Sequence, residues 1–322
     1  MANATGARLP TLKELLVARR AMGCEFSLRL PGGTRLAANA ACAALDEVER
    51  IESRLSVYLE NSDITRLNRW AAESAVRVDA EVYHLLSRAA RLAAITRGAF
   101  DAAAGALVKA WGFYRGPKRV PSESERAAAL AACGWSHLEF DDAQCAIRTD
   151  RPGVELNLGG IGKGFGIDRA LELIRRRFGV ASVLMQGGQS SLKGMGAPPG
   201  GLRGWPVMIA DPSRRGRAAA RVWLRNRALG TSAADHQFFV EGGRRFGHVL
   251  DPRTGWPAQG VISASAIARS AADADALSTA FFVMGAEETR RFCEERPQYG
   301  AVLVLPGNET LILGAADAEA IP

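Results

Sequence analysis

Cysteine is scarce in this chain: five in 322 residues, at 24, 42, 133, 145 and 293. They are odd in number, scattered and without C-x-x-C spacing. That excludes a disulfide framework and a cysteine-based zinc site, and leaves small core residues in a reducing compartment. Long apolar runs are absent too. No stretch approaches 18 uninterrupted apolar residues, and Met1–Pro10 has no apolar h-region. The sequence therefore predicts no membrane span, no signal peptide and a cytoplasmic location. Aromatics make up 7% and do not interleave with the basic clusters at 175–177, 214–217 and 244–245. A net charge of +7 then reads as a solvated basic surface with a mild pull on anions, not as a nucleic-acid platform.

What is present suits a globular enzyme: 48% hydrophobic and 23% charged residues, enough for a sizeable core. Residues 1–20 read as a leader with a short helix, Thr11 to Arg20, and 21–318 as one domain. Phe26, Leu28 and Leu30 alternate like a strand. Helices are expected at 35–55, with Leu45, Val48 and Ile51 on one face, and at 78–97, 123–133, 165–177 and 273–285. Strands are expected at 154–158, 180–185, 205–210, 220–225, 236–240, 246–250, 262–268, 301–305 and 310–313, with loops at 187–188 and 194–201. There is no internal repeat and no strict βαβ rhythm, which favours α+β.

Four constellations could carry chemistry. Gly159-Gly160-Ile161-Gly162-Lys163-Gly164 joins a strand to a helix, a geometry that turns backbone N–H groups toward phosphate, with Lys163 adding charge. It matches neither the dinucleotide fingerprint nor a Walker loop, and a merely tight turn has the same pattern. Asp275 and Thr279 stand at i and i+4, so a carboxylate and a hydroxyl share one helix face and could hold Mg²⁺; a plain acidic helix start is the alternative. His248, one of four histidines with His84, His137 and His236, precedes the Asp251-Pro252-Arg253-Thr254-Gly255 loop, a catalytic position or ordinary turn chemistry. Gly98-Ala99-Phe100-Asp101, followed by Trp111-Gly112-Phe113, could hold a heterocycle or simply cap a helix on a core Phe.

Taken in chain order, these segments resemble the ApbE family of FAD:protein FMN transferases. The resemblance runs from about Met22 to Gly285. It includes Met22-Gly23, Ser56-Val57-Tyr58, Ser62-Asp63-Ile64, Leu67-Asn68, the 98–101 and 111–113 segments, and Ile161 to Phe165 with Asp168. Gly187-Gly188, Trp205-Pro206-Val207, Thr231-Ser232, His248 to Gly255 and Ala274 to Thr279 complete it. The resemblance implies an α+β fold of mixed sheet and helix with an FAD cleft between two lobes. It implies FAD contacts at Met22, Tyr58, Ala99, Phe100, Asp101, Asn157, Lys163 and Ile262, and Mg²⁺ at Asp275, Thr279 and the Gly160 carbonyl. His248 is implied as the catalytic base that activates a Thr or Ser of an acceptor flavoprotein, with AMP released. An FAD pyrophosphatase or a non-catalytic FAD-binding protein would share most of these residues. The chain departs from the family pattern at Asn157, where Asp is common, and at Gln189, Gly162 and Cys24; Asn157 removes one negative charge near the implied metal.

Overall fold

A computed structural model of the chain describes residues 14–201, 203–214, 216–234, 237–307, 309–314 and 318–321. Its centre is an eight-stranded sheet in which every neighbouring pair is antiparallel. The strands lie side by side in chain order: Glu14–Ala21, Cys24–Pro31, Val183–Gly187, Ser191–Met195, Arg227–Ala233, Ser263–Ala268, Gly300–Leu305 and Glu309–Leu313. The helices are α1 (Arg35–Leu55), α2 (Asp63–Trp70), α3 (Ala80–Ile95), α4 (Gly105–Ala110), α5 (Glu123–Ala131), α6 (Gly162–Phe178) and α7 (Ala271–Glu295).

Three layers result. Phe26, Leu28 and Leu30 alternate onto one sheet face and pack with Leu45 and Val48 of α1 and Ile167, Leu171 and Ile174 of α6. Burying side chains of this size stabilises by about 1.5–3 kcal/mol each. Leu184, Leu192, Leu229, Ile267 and Val302 point the other way, onto a second sheet of Trp205–Ala210, Ala218–Leu224 and Ala318–Ala320. Beyond the end of α1, a lobe of α2, α3 and the 99–103 segment shares a core with Leu277 and Phe281 of α7. Helix α7 is thus buried between the sheet and that lobe, and it is interrupted at Gly285, where φ is 74°.

Two sequence expectations fail. The residues read as the end of a helix, 14–20, form an edge strand paired with Cys24–Pro31; Thr11–Lys13 lie outside the described residues. The side chains alternate, exposed and half-buried, as on an edge, and pairing overrides the helix-forming composition. Residues 154–158 are not a ladder strand. Their polar backbone is met one group at a time: the Asn68 amide donates to the Leu156 carbonyl and accepts from the Leu156 N–H, at 2.9 and 2.8 Å. The Asn157 N–H donates to Ala102 and the Gly105 N–H to the Glu155 carbonyl. A side-chain amide here does the work of a neighbouring strand. The 194–201 loop also begins late, because Gly194 belongs to Ser191–Met195. Strand Arg227–Ala233 and helices α2 and α4 were not foreseen. His236, the expected start of a strand, lies outside the described residues.

Candidate functional site

The site is assembled where α6, α7 and the 98–101 turn meet. Residues 159–164 turn into α6. Most of the turn's N–H groups are spent locally: Gly159 donates to Asn157 Oδ1, and Ile161 and Gly162 donate to the Leu158 carbonyl. The Gly164 N–H donates to Asp275 Oδ2 at 2.7 Å. The expected cradle of N–H groups for phosphate is therefore largely used up, and Lys163 carries the positive charge of this turn.

Asp275 is buried on α7, and burial pushes its carboxyl above the usual carboxylate range; Lys163 opposes that shift most strongly. Thr279, a turn later, has Oγ1 within 3.2 Å of Ser232 Oγ, which also lies 3.0 Å from Ser278 Oγ. A Cβ on Gly160 would sit 3.4 Å from Thr279 Oγ1 and 3.3 Å from the Phe100 ring. Asp275, Thr279, Gly160, Phe100 and Lys163 are thus brought together, as the i, i+4 spacing requires. The Ser191 hydroxyl, buried on the strand beside them, favours the ionised form of Asp275.

The donor chemistry fits a hard cation. One carboxylate, one hydroxyl and one backbone carbonyl, with substrate phosphate and water, are the oxygen set that Mg²⁺ accepts. Among the described residues no three His, Cys, Asp or Glu side chains gather into an all-protein metal cage, and a substrate-assisted Mg²⁺ site needs none. The buried Asp275 charge, costly to ionise beside the Ser191 hydroxyl, marks a polar pocket that a cation would suit.

The remaining expected residues fall into two groups. Met22 and Gly23, at φ 49° and 73°, form the two-residue hairpin turn, with both residues at positive φ as type I′ demands. Met22 Cε lies 3.1 Å from where a Gly166 Cβ would stand on α6. Asp101 Oδ1 accepts from the Ala103 N–H at 2.7 Å, and burial raises its carboxyl to about 6. Ala99 and Phe100 are buried, so Phe100 supports Gly160 from below. Ile262 stands at the Ser232 end of the sheet, its N–H on Val304 and its carbonyl accepting from Ala234.

In the second group, Tyr58 is 59% exposed, its ring lies tilted against Tyr114 with centroids 5.2 Å apart, and Arg115 sits over its ring. His248 packs edge-on against Phe113, and its Nδ1 lies 3.0 Å from the Gln237 carbonyl. A carbonyl only accepts, so Nδ1 is the donor in that contact. The single loop 113–115 therefore ties Tyr58 to His248. Trp111 Nε1 donates to the Gly255 carbonyl, and Arg253 reaches Gly98, joining the His248 segment to the 98–101 turn. Sequence reasoning missed the roles of Ser191, Lys193, Ser232 and Ser270. Ser270 left a usable signal, Ser-x-x-Asp ahead of an apolar run, and Ser232 entered only within the Thr231-Ser232 pair, without a role.

Comparison with known proteins places this geometry. The profile of the ApbE family matches residues 22–303. The FAD:protein FMN transferase of Treponema pallidum (strain Nichols) is 33% identical over 282 residues, 82% of this chain and 77% of its own length. That of Haemophilus influenzae is 29% identical over 78% of this chain and 75% of its own. The ApbE protein of Thermotoga maritima superposes with a TM-score of 0.85 at 30% identity, covering 94% of this chain and 97% of its own.

Proposed function

The chain belongs to the ApbE family, and on that premise we propose that it is a Mg²⁺-dependent FAD:protein FMN transferase acting on a Thr or Ser of an acceptor flavoprotein. The observation that carries the reading is the meeting of Asp275 and Thr279 with the Gly160 turn and Lys163.

In this reading Asp275, Thr279 and the Gly160 carbonyl hold Mg²⁺, and Met22, Tyr58, Ala99, Asp101, Asn157, Lys163 and Ile262 line the FAD site. Bound there, the ion neutralises the diphosphate and polarises its P–O bonds. Lys163 adds a fixed positive charge as charge builds on the leaving phosphate. Tyr58, exposed beside Tyr114 and Arg115, offers an aromatic surface to a flat ring. His248 Nε2 takes the proton of the acceptor hydroxyl. The hydroxyl oxygen bonds to the FMN-side phosphorus, the bond to the AMP-side oxygen breaks, and AMP leaves with its electron pair. The product is a phosphoester between FMN and the acceptor.

The test is incubation with FAD and Mg²⁺, with and without acceptor proteins, reading in-gel flavin fluorescence and AMP together. AMP matched by protein-bound flavin is expected. AMP release without bound flavin for every acceptor would instead identify a pyrophosphatase, and FAD binding without AMP release a carrier.

A further inference from the structure

The carboxylate that organises the start of α7 is not one of the proposed metal ligands. Asp168, half-buried on α6, collects four donors. Its Oδ1 accepts from Lys193 Nζ at 2.6 Å and the Ala271 N–H at 3.0 Å. Its Oδ2 accepts from Ser270 Oγ at 2.6 Å and the Ala272 N–H at 3.1 Å. Two of these are first-turn amides of α7, donors that a helix cannot satisfy within itself. Gly164, four residues earlier on the same face of α6, donates to Asp275. One face of α6 therefore holds both the beginning of α7 and the carboxylate one turn into it.

The neighbouring strand repeats the arrangement. Ser191 and Lys193 alternate onto one face of Ser191–Met195, with Ser191 beside Asp275 and Lys193 on Asp168. Lys193 also offsets a repulsion, because the Asp168 charge disfavours the charge on Asp275. On the far side, Arg88 of α3 grips Asp273 at 2.8 Å. Helix α7 is thus fixed along its axis by charge-assisted bonds just before the residues that face the Gly160 turn.

We propose that Asp168, neutralised by Lys193, is a positioning residue for the cation site, setting the axial register of α7 so that Asp275 and Thr279 meet the Gly160 turn. The proposal rests on the functional reading above. Partners of this kind, one shell removed from the metal, change its affinity about 10–100-fold when altered.

Asp168→Asn keeps the shape while placing an amide against N–H donors. Lys193→Gln leaves Asp168 in place and tests the same link if the first variant fails to fold. Mn²⁺ in the presence of saturating FAD is the probe, its binding to the whole chain followed by the loss of the free-ion electron paramagnetic resonance signal against a protein-free FAD blank. Circular dichroism and the apparent Mg²⁺ requirement for AMP release are read alongside. The expected result is at least tenfold weaker Mn²⁺ binding in Asp168→Asn and a smaller loss in Lys193→Gln. The helical signal should be unchanged, and turnover should recover substantially at high Mg²⁺. Variants that melt earlier but bind Mn²⁺ within threefold of the wild type would overturn the proposal and leave a plain helix cap. Absence of Mn²⁺ binding by the wild-type protein would overturn it together with the functional reading.

Discussion

Asp275 concentrates the conflict on which the site depends. Burial holds its carboxyl above the ordinary range, so ionising it costs the metal-free protein stability. The native state then binds more protons than the unfolded chain, and stability falls as pH rises above the ordinary carboxyl pKa of about 3.9. Asp275→Asn keeps an acceptor for the Gly164 N–H and removes the charge. It should melt higher than the wild type at neutral pH without metal, by about 1.5 °C for each kcal/mol released in a chain of this length, and should gain nothing from Mg²⁺. A lower melting point with intact Mg²⁺ stabilisation would contradict this. Asp101 follows the same sign. Its carboxyl is raised by burial to about 6, so its contribution to stability is lost between about pH 4 and 6 as pH rises. Urea midpoints of the wild type and Asp101→Asn should therefore diverge in favour of the variant across that window; parallel curves would sink the assignment. His248→Asn should lower turnover about 10²–10⁴-fold while FAD affinity, measured by fluorescence titration, stays within about threefold.

At the scale of elements, α7 matters most, and two glycines let it dock. A Cβ on Gly164 would lie 2.1 Å from the Ala271 carbonyl oxygen, and one on Gly230 would lie 2.3 Å from that of Ala274. Both obstacles are backbone, so the helix itself must move. Gly164→Ala should cost about 1–3 kcal/mol or more and weaken the Mg²⁺ dependence of turnover, as denaturation and a metal titration would reveal; an unperturbed variant would argue against close helix docking. Gly230 also explains why Arg227–Ala233 is hard to read: a glycine weakens the strand signal where another backbone approaches. Helix α1 was legible to the residue because Leu45, Val48 and Ile51 repeat at helical spacing. Glu14–Ala21 was not, since an edge strand buries little and has no strong apolar alternation. Residues 154–158 misled for the opposite reason: they alternate well, but Asn68, 88 positions away, takes the partner's place.

Across the whole molecule, the sequence disclosed the components of the site better than their connections. The 98–101, 159–164, 248–255 and 274–279 segments are each ambiguous as short motifs, yet Phe100, Gly160 and Thr279 come together, and Trp111 and Arg253 link the 248–255 segment to them. Ser191 and Lys193 stayed hidden because a lone Ser or Lys has no pattern until a fold sets it against a carboxylate. In the proposed reading a cation held by Asp275 and Thr279 would neutralise the diphosphate of FAD, so the two binding events would be energetically coupled. The direct test is calorimetric titration of FAD into the wild type and Asp275→Asn, with and without Mg²⁺. FAD should bind at least about tenfold tighter with Mg²⁺ in the wild type, a coupling of about 1.4 kcal/mol, and no tighter in the variant. Equal Mg²⁺ dependence in both proteins would contradict it.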